Sequence, residues 1–435
     1  MSQQDKRTAF RAKLLTFVGD PAITAGGACF EEDGLLIVED GRVVAAGSYS
    51  SLRTQLTPQT TLVELTGKLI TPGFIDTHVH YPQTEMIASP AAGLLPWLDS
   101  YTFPTERGFA DPEHASEVAE FFLDQLLSCG TTTALVYCTV HKHSADALFK
   151  ASEARNLRMI AGKVLMDRNC PEFLRDTAQS GYDDSAALIA HWHKRGRQLY
   201  ALTPRFAPTS TPAQLEACGT LARLHPDVFI QSHVSENTDE VKWVAALFPG
   251  HRSYLDVYEH YGLLRRRAVY GHCIYLDDRD RARMAETGAL ASHCPTSNLF
   301  LGSGLFDFEK AGEAGMPVAL GTDVGGGTSF SMLQTMNEAH KVARMRGHHL
   351  TAARMFWLAT AGAAQALGLD QTVGTLRPGS EADFIVLDPE ATPLLARRTA
   401  LAQSPEEWLF AFAMLGDDRA VLETYAAGQR VHRRA

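Results

Sequence analysis

Eight short apolar runs recur between residues 72 and 370: "FIDTHVH", "TTTALVY", "MIAGKVLM", "LYALTPRF", "VFIQSHV", "AVYGHC", "GALASHC" and "PVALGTD". Each has the length and side-chain makeup of a buried strand, and each is followed by polar, capping or helix-forming sequence. That many strand-helix units over roughly 250 to 300 residues fit an α/β fold of one kind, a (β/α)8 barrel like that of TIM. In such a barrel the chemistry gathers where the strands end, so eight short stretches hold the candidate site. No short repeat of fixed period and no low-complexity tract argues for a solenoid instead.

The chain ends have a different texture. "GLLIVEDGRVVAAG" carries two β-branched runs separated by Asp40 and Gly41, the pattern of a tight hairpin. Similar alternation returns in "GTLRPGSEADFIVLDP" and "VLETYAAGQRVHRR". The expected organisation is a barrel over residues 72–370 and a small β domain assembled from residues 1–71 and 371–435. With 435 residues, 45% of them hydrophobic, both parts can bury a core.

Charge narrows the functional classes. Forty Lys and Arg against fifty Asp and Glu give a formal net charge of −10, with no basic block longer than runs such as Arg265 to Arg267. A nucleic-acid or membrane-surface partner is disfavoured. The first residues lack the apolar core and cleavage site of a secretory signal, and no stretch reaches the ~18 apolar residues of a membrane span, so a soluble cytoplasmic protein is expected. Seven scattered cysteines without a C-x-x-C pair indicate neither a disulfide framework nor a cysteine metal site.

The strand ends supply metal-ligand chemistry. His78 and His80 are two apart, so an alternating strand projects both imidazoles from one face. Three more strand ends carry His233 in "FIQSHVSE", His272 in "AVYGHC" and Asp323 in "VALGTD". A lone H-x-H is weak evidence, but the joint placement at strand ends is specific. Four nitrogens and one carboxylate suit a borderline divalent ion such as Zn²⁺ or Fe²⁺ better than Mg²⁺ or Ca²⁺. Glu236, three residues after His233, can reach over the metal without binding it and shuttle protons; the alternative is a capping carboxylate at the next helix.

"PGFIDTHVH", "SHVSE", "GHC" and "GTD" resemble the metal motifs of the amidohydrolase superfamily, and the resemblance runs from about Gly34 to the C-terminus. Within it, "HVHYPQ", "LPWLDSYTFPTE", "GTTTALVY", "TPRFAPT", "CPTSNLFLGSGLF" and "GTDVGGGTSFSMLQTMNEA" are similar to the guanine deaminase family. The resemblance implies a (β/α)8 barrel, a small β-sandwich from both chain ends, and hydrolytic deamination of guanine to xanthine and ammonia. It implies that His78, His80, His233 and Asp323 bind one catalytic Zn²⁺, that His272 stands beside the water or substrate, and that Glu236 moves protons. Gln83 of "HYPQ" and Arg205 with Phe206 of "TPRF" match positions that hold the guanine ring. A homodimer is the assembly the family resemblance implies.

Subgroups of the superfamily differ in metal number. Binuclear members carry a bridging lysine at the end of the fourth strand, where "LYALTPRF" has none. Lys163 falls on the third strand and reads as structural, so one metal is expected. Trp97, in a loop stiffened by Pro96 and Pro104, is a candidate cover for the site or an ordinary packing residue. The rival activity is deamination of another amino-heterocycle, such as 8-oxoguanine, cytosine or an s-triazine. A silent scaffold is the rival from a different class, and the complete set of ligand-type residues argues against it.

Overall fold

In the computed structural model, which describes residues 7–90 and 92–435, eight parallel strands follow one another around a barrel. They are Phe74–His80, Thr131–Tyr137, Arg158–Gly162, Leu199–Pro204, Phe229–Val234, Ala268–His272, Leu290–His293 and Val318–Leu320. The two-residue strand Val164–Leu165 continues the third beyond Lys163. The barrel closes where the Asp323 N–H donates to the His78 carbonyl and the His80 N–H donates to the Val324 carbonyl, both at 2.8 Å.

Period-two alternation sorts the interior into layers. Ile75, Leu135, Ile160, Ala201, Phe229, Val269, Leu290 and Ala319 form an apolar floor, sealed from below by Ala363, Ala364 and Leu367 of helix Ala361–Leu367. Two residues further along, Thr77, Thr203, Gln231 and Ser292 make a polar middle layer joined by hydrogen bonds between neighbouring strands. Thr77 Oγ1 lies 2.6 Å from Ser292 Oγ, and Gln231 Nε2 donates to Thr203 Oγ1 at 2.9 Å. Another step up, the same alternation delivers Arg205, His233 and Asp323 to the rim. A hydrophobic floor under a polar mouth therefore follows from the order of residues along each strand.

The chain ends build a seven-stranded sheet in the order Gln429–Arg433, Val421–Ala426, Phe384–Leu387, Thr61–Pro72, Thr8–Phe17, Ala28–Glu39, Arg42–Ser48. The Phe10 and Tyr425 rings lie 5.2 Å apart, although their strands are three places apart in the sheet. In a flat sheet that separation is roughly 14 Å, so this one curls over its own core. Asp40 and Gly41 both adopt positive φ, at 52° and 74°, the left-handed pair that a two-residue hairpin requires. The first six residues of the expected terminal segment 1–71 lie outside the described residues.

Segment 371–435 also holds two helices besides its strands. Thr392 caps Pro393–Ala400 and Ser404 caps Pro405–Leu415, each followed by proline at the first helical position. Asn337 Nδ2, on helix Met332–Met345, donates to the Met414 carbonyl at 2.8 Å and ties the second of them to the barrel. At the opposite pole, Arg158 and Arg197 of the barrel floor clasp Glu381 and Asp383 of the sheet segment. No helix among the described residues is long and apolar enough to cross a membrane.

Candidate active site

Five of the expected residues converge at the barrel mouth. His80 Nε2 lies 3.3 Å from His78 Nε2 and 3.2 Å from His233 Nε2, and Asp323 Oδ1 lies 3.2 Å from the Nε2 atoms of both His78 and His80. His272 stands one step further out, its Nε2 3.7 Å from Asp323 Oδ2 and 3.4 Å from Glu236 Oε2. One ligand atom each from His78, His233, His272 and Asp323 falls within 4.8 Å of the others, so His272 borders the same centre. The tighter set is the one with His80.

This donor set fits a divalent cation. The His233 Nδ1–H donates to the Arg205 carbonyl at 2.6 Å, which fixes the tautomer and turns a bare Nε2 lone pair inward. Burial holds His80 down to about 3, and burial with the neighbouring imidazoles holds His233 well below the ordinary histidine value, so both rings are neutral donors. Burial would raise Asp323, but His78, His80 and His272 outweigh it and keep the carboxylate ionised. Bonds of about 2.0–2.2 Å to a common ion place neighbouring donors roughly 3 to 3.5 Å apart, the spacing seen here. Lone pairs packed this closely repel one another unless a cation sits between them.

Two motif glycines make room for these rings. A Cβ on Gly271 would sit 2.6 Å from His78 Cε1, and one on Gly321 would sit 2.8 Å from His78 Cβ. Hence "GHC" and "GTD" carry glycine beside the functional residue. The strand ends also turn sharply: Ser235, His272 and Asp323 have φ of 52°, 70° and 52°. Left-handed backbone at non-glycine residues costs about 1–3 kcal/mol each and is characteristic of functional sites.

Glu236 is released from helix capping. The N-cap of helix Thr238–Leu247 is Asn237, reciprocated by Glu240, whose Oε2 accepts the N–H groups of Glu236 and Asn237. The Glu236 side chain instead points toward the histidine and aspartate cluster, with Oε1 accepting from Ser303 Oγ at 2.8 Å and Oε2 near His272. Burial and the Asp323 charge push its carboxyl up to about 8, while Ser303 pulls the other way. A carboxyl so placed can hold a proton near neutrality.

The mouth holds a pocket walled by Gln83, Trp97, Arg205, Phe206, Glu236 and His272, among others. Gln83, Arg205 and Phe206 therefore line the same pocket as the ligand cluster, and the buried Trp97 belongs to one apolar cluster with Phe206. Its Nε1 donates to the Ser89 carbonyl at 3.1 Å. Lys163 is buried and donates to Asp176 Oδ2 at 2.6 Å, an ion pair away from the ligand cluster.

A model of the amidohydrolase family matches residues 69–431. A guanine deaminase of Escherichia coli (strain K12) is 48% identical over 417 residues, covering 96% of this chain and 95% of that protein. The chain belongs to the amidohydrolase family, in its guanine deaminase branch. The solved structure of an E. coli guanine deaminase superimposes on this amidohydrolase with a TM-score of 0.95 at 46% identity, covering 99% of this chain and 100% of that one. A guanine deaminase from C. acetobutylicum, solved with guanine bound in its active site, gives a TM-score of 0.86 at 26% identity over 98% of this chain and 100% of that one.

Several residues of this amidohydrolase's site had no individual signal in the sequence. Asn298 Oδ1 accepts from His272 Nδ1 at 2.8 Å, which fixes the ring with Nε2 beside Glu236. Tyr137 stacks on His80 with centroids 4.4 Å apart. Asp76 accepts from the backbone of His78 and Thr322 and from Thr322 Oγ1, bracing the first and last strands; burial lifts its carboxyl to about 6 against those bonds. Glu106 Oε1 and Oε2 take Arg205 Nη1 at 2.9 and 2.8 Å. Asn298, Ser303, Tyr137 and Glu106 fall inside the motifs quoted above, yet their partners are distant in sequence.

Proposed function

We propose that this amidohydrolase adds water to C2 of guanine and releases ammonia, leaving xanthine. The observation that carries the reading is the buried Glu236 carboxylate facing the His78, His80, His233 and Asp323 cluster across a cavity whose other wall is Gln83, Arg205 and Phe206. A single Zn²⁺ or Fe²⁺ held by those four residues supplies a Lewis acid that lets water act as a nucleophile at neutral pH.

The remaining steps belong to the side chains. Asp323 Oδ2 orients the water by accepting one of its hydrogens. Glu236 Oε2, the oxygen not engaged by Ser303, takes a proton from the water as its oxygen bonds to C2, and delivers it to N3, where negative charge would otherwise collect. His272 Nε2 lies within reach of the new C2–OH and stabilises the tetrahedral adduct. Glu236 then moves the C2–OH proton to the amino nitrogen, the C2–N bond breaks, and ammonia departs. Arg205 donates to ring acceptors such as O6 and N7, Gln83 pairs with the ring edge, and Phe206 supplies an apolar face.

The test is incubation of the purified, metal-analysed protein with guanine, following xanthine by absorbance and ammonia by a coupled assay. Equal amounts of both products support the reading. Metal-loaded protein that leaves guanine untouched overturns it and moves the search to other amino-heterocycles.

A further inference from the structure

We infer that Glu106, which lines no part of the cavity, is the specificity-determining residue that turns the ring-binding wall into a face of donors and so selects 6-oxopurines over 6-aminopurines. The inference rests on the proposed guanine reading of the same site and names what sets its selectivity.

Glu106 is 1% exposed and ends the short helix Phe103–Glu106 in the loop after the first barrel strand. Both its oxygens are taken up by a single nitrogen of Arg205, Nη1. Phe103, one turn earlier on the same helix, lies under the guanidinium with its centroid 5.5 Å from Cζ. Held by the carboxylate and the ring together, Arg205 keeps Nε and Nη2 without a protein partner among the described residues. These N–H groups are the ones left for a ligand.

The same carboxylate settles the orientation of Gln83. Gln83 Nε2 lies 3.3 Å from Glu106 Oε1, and on its other side Gln83 Oε1 accepts from the Gly325 N–H at 3.1 Å. An ionised carboxylate can only accept and a backbone N–H can only donate, so the amide cannot be flipped. Its carbonyl is turned toward the Gly325 backbone, and the remaining free hydrogen is on Nε2. Arg205 and Gln83 together therefore offer a ligand chiefly N–H donors. Guanine meets them with acceptors, O6 and N7. A purine with an amino group at C6 places a donor against donors, and the buried groups on both sides lose their partners.

Glu106→Gln would undo this. Arg205 Nη1 bonds both oxygens and Gln83 Nε2 shares Oε1, so whichever way the new amide turns, its NH₂ meets a donor of Arg205, and in one of the two orientations that of Gln83 as well, and the donor wall loses an acceptor that orients it. The probe pair is guanine and 2,6-diaminopurine, which share the C2 amino group and differ at C6.

The experiment measures kcat, KM and calorimetric dissociation constants for both purines, with zinc content, in the wild type, Glu106→Gln and Glu106→Asp. The wild type is expected to prefer guanine by on the order of 100-fold. In Glu106→Gln the preference is expected to shrink by about tenfold or more, through KM rather than kcat, at unchanged zinc content, and Glu106→Asp, which keeps the charge, restores most of it. A Glu106→Gln protein that binds metal and keeps the wild-type preference overturns the inference. So does a wild type that binds both purines equally, an outcome that needs no variant to fold. Failure of the wild type to turn over guanine counts against the guanine reading instead, and the ratio of dissociation constants still decides the role of Glu106.

Discussion

The Nδ1–H of His233 donates to the backbone carbonyl of Arg205 across 2.6 Å, joining an imidazole of the histidine cluster to the chain segment that carries the Arg205 guanidinium. The bond spans the ends of the fourth and fifth barrel strands, and the neighbouring Phe206 pairs with His233 in a parallel bridge. The proposed metal centre and the proposed substrate wall are thus parts of one rigid rim.

His78→Ala should lose the metal. Its Nε2 contacts His80 and Asp323 at once, and the remaining lone pairs are left in a widened site. Metal analysis after dialysis is expected to give well under half an equivalent per chain; a fully loaded variant would show that the ligand set is different.

Glu236→Gln and Ser303→Ala should separate chemistry from positioning. The first removes the proposed proton carrier and is expected to cut kcat by about 10² or more with metal retained. The second removes one hydrogen bond to Oε1, worth about a tenfold drop in kcat with KM for guanine little changed. If Ser303→Ala turned over at the wild-type rate, the Ser303 contact would have no part in aiming the carboxylate.

Acid should loosen the joint between sheet and barrel. Burial works to raise Glu381, but Arg197 and Arg158 outweigh it and hold its carboxyl below the ordinary 4.5. A depressed folded-state value means the pair's stabilisation is fully present above about 4.5 and is lost as pH falls through the lower folded-state value. Glu381→Ala leaves two nearly buried guanidinium groups short of a partner, a change expected to cost roughly 3 kcal/mol or more. Thermal melts from pH 7 to 3 check this: the gap between wild type and variant should narrow below pH 4.5, and a constant gap would contradict it.

Much of the architecture was legible because it rests on local rules. The runs at Phe74–His80 and Thr131–Tyr137 coincide with whole strands, and the histidines and Asp323 stand at strand ends where period two and the barrel rule place them. "MIAGKVLM" is interrupted at Lys163, whose side chain leaves the ladder for Asp176. The two C-terminal helices carry visible Thr-Pro and Ser-Pro starts, yet they sit inside a stretch dominated by strand texture.

The supporting residues were illegible for a different reason. Glu106 and Arg205 are 99 positions apart, and Ser303 and Glu236 are 67 apart. Neither pair follows from any spacing along an element, because the loops that bring them together are positioned only once the barrel closes. The residue types were visible in the quoted motifs, but their pairings are tertiary facts.

The most direct test of a single-metal guanine hydrolase is to titrate metal-free protein with Zn²⁺ while measuring the rate of xanthine formation from guanine. The rate is expected to rise in proportion to added zinc and to level off at one equivalent per chain. A rate that needs two equivalents, or zinc-loaded protein that forms no xanthine, would contradict this expectation.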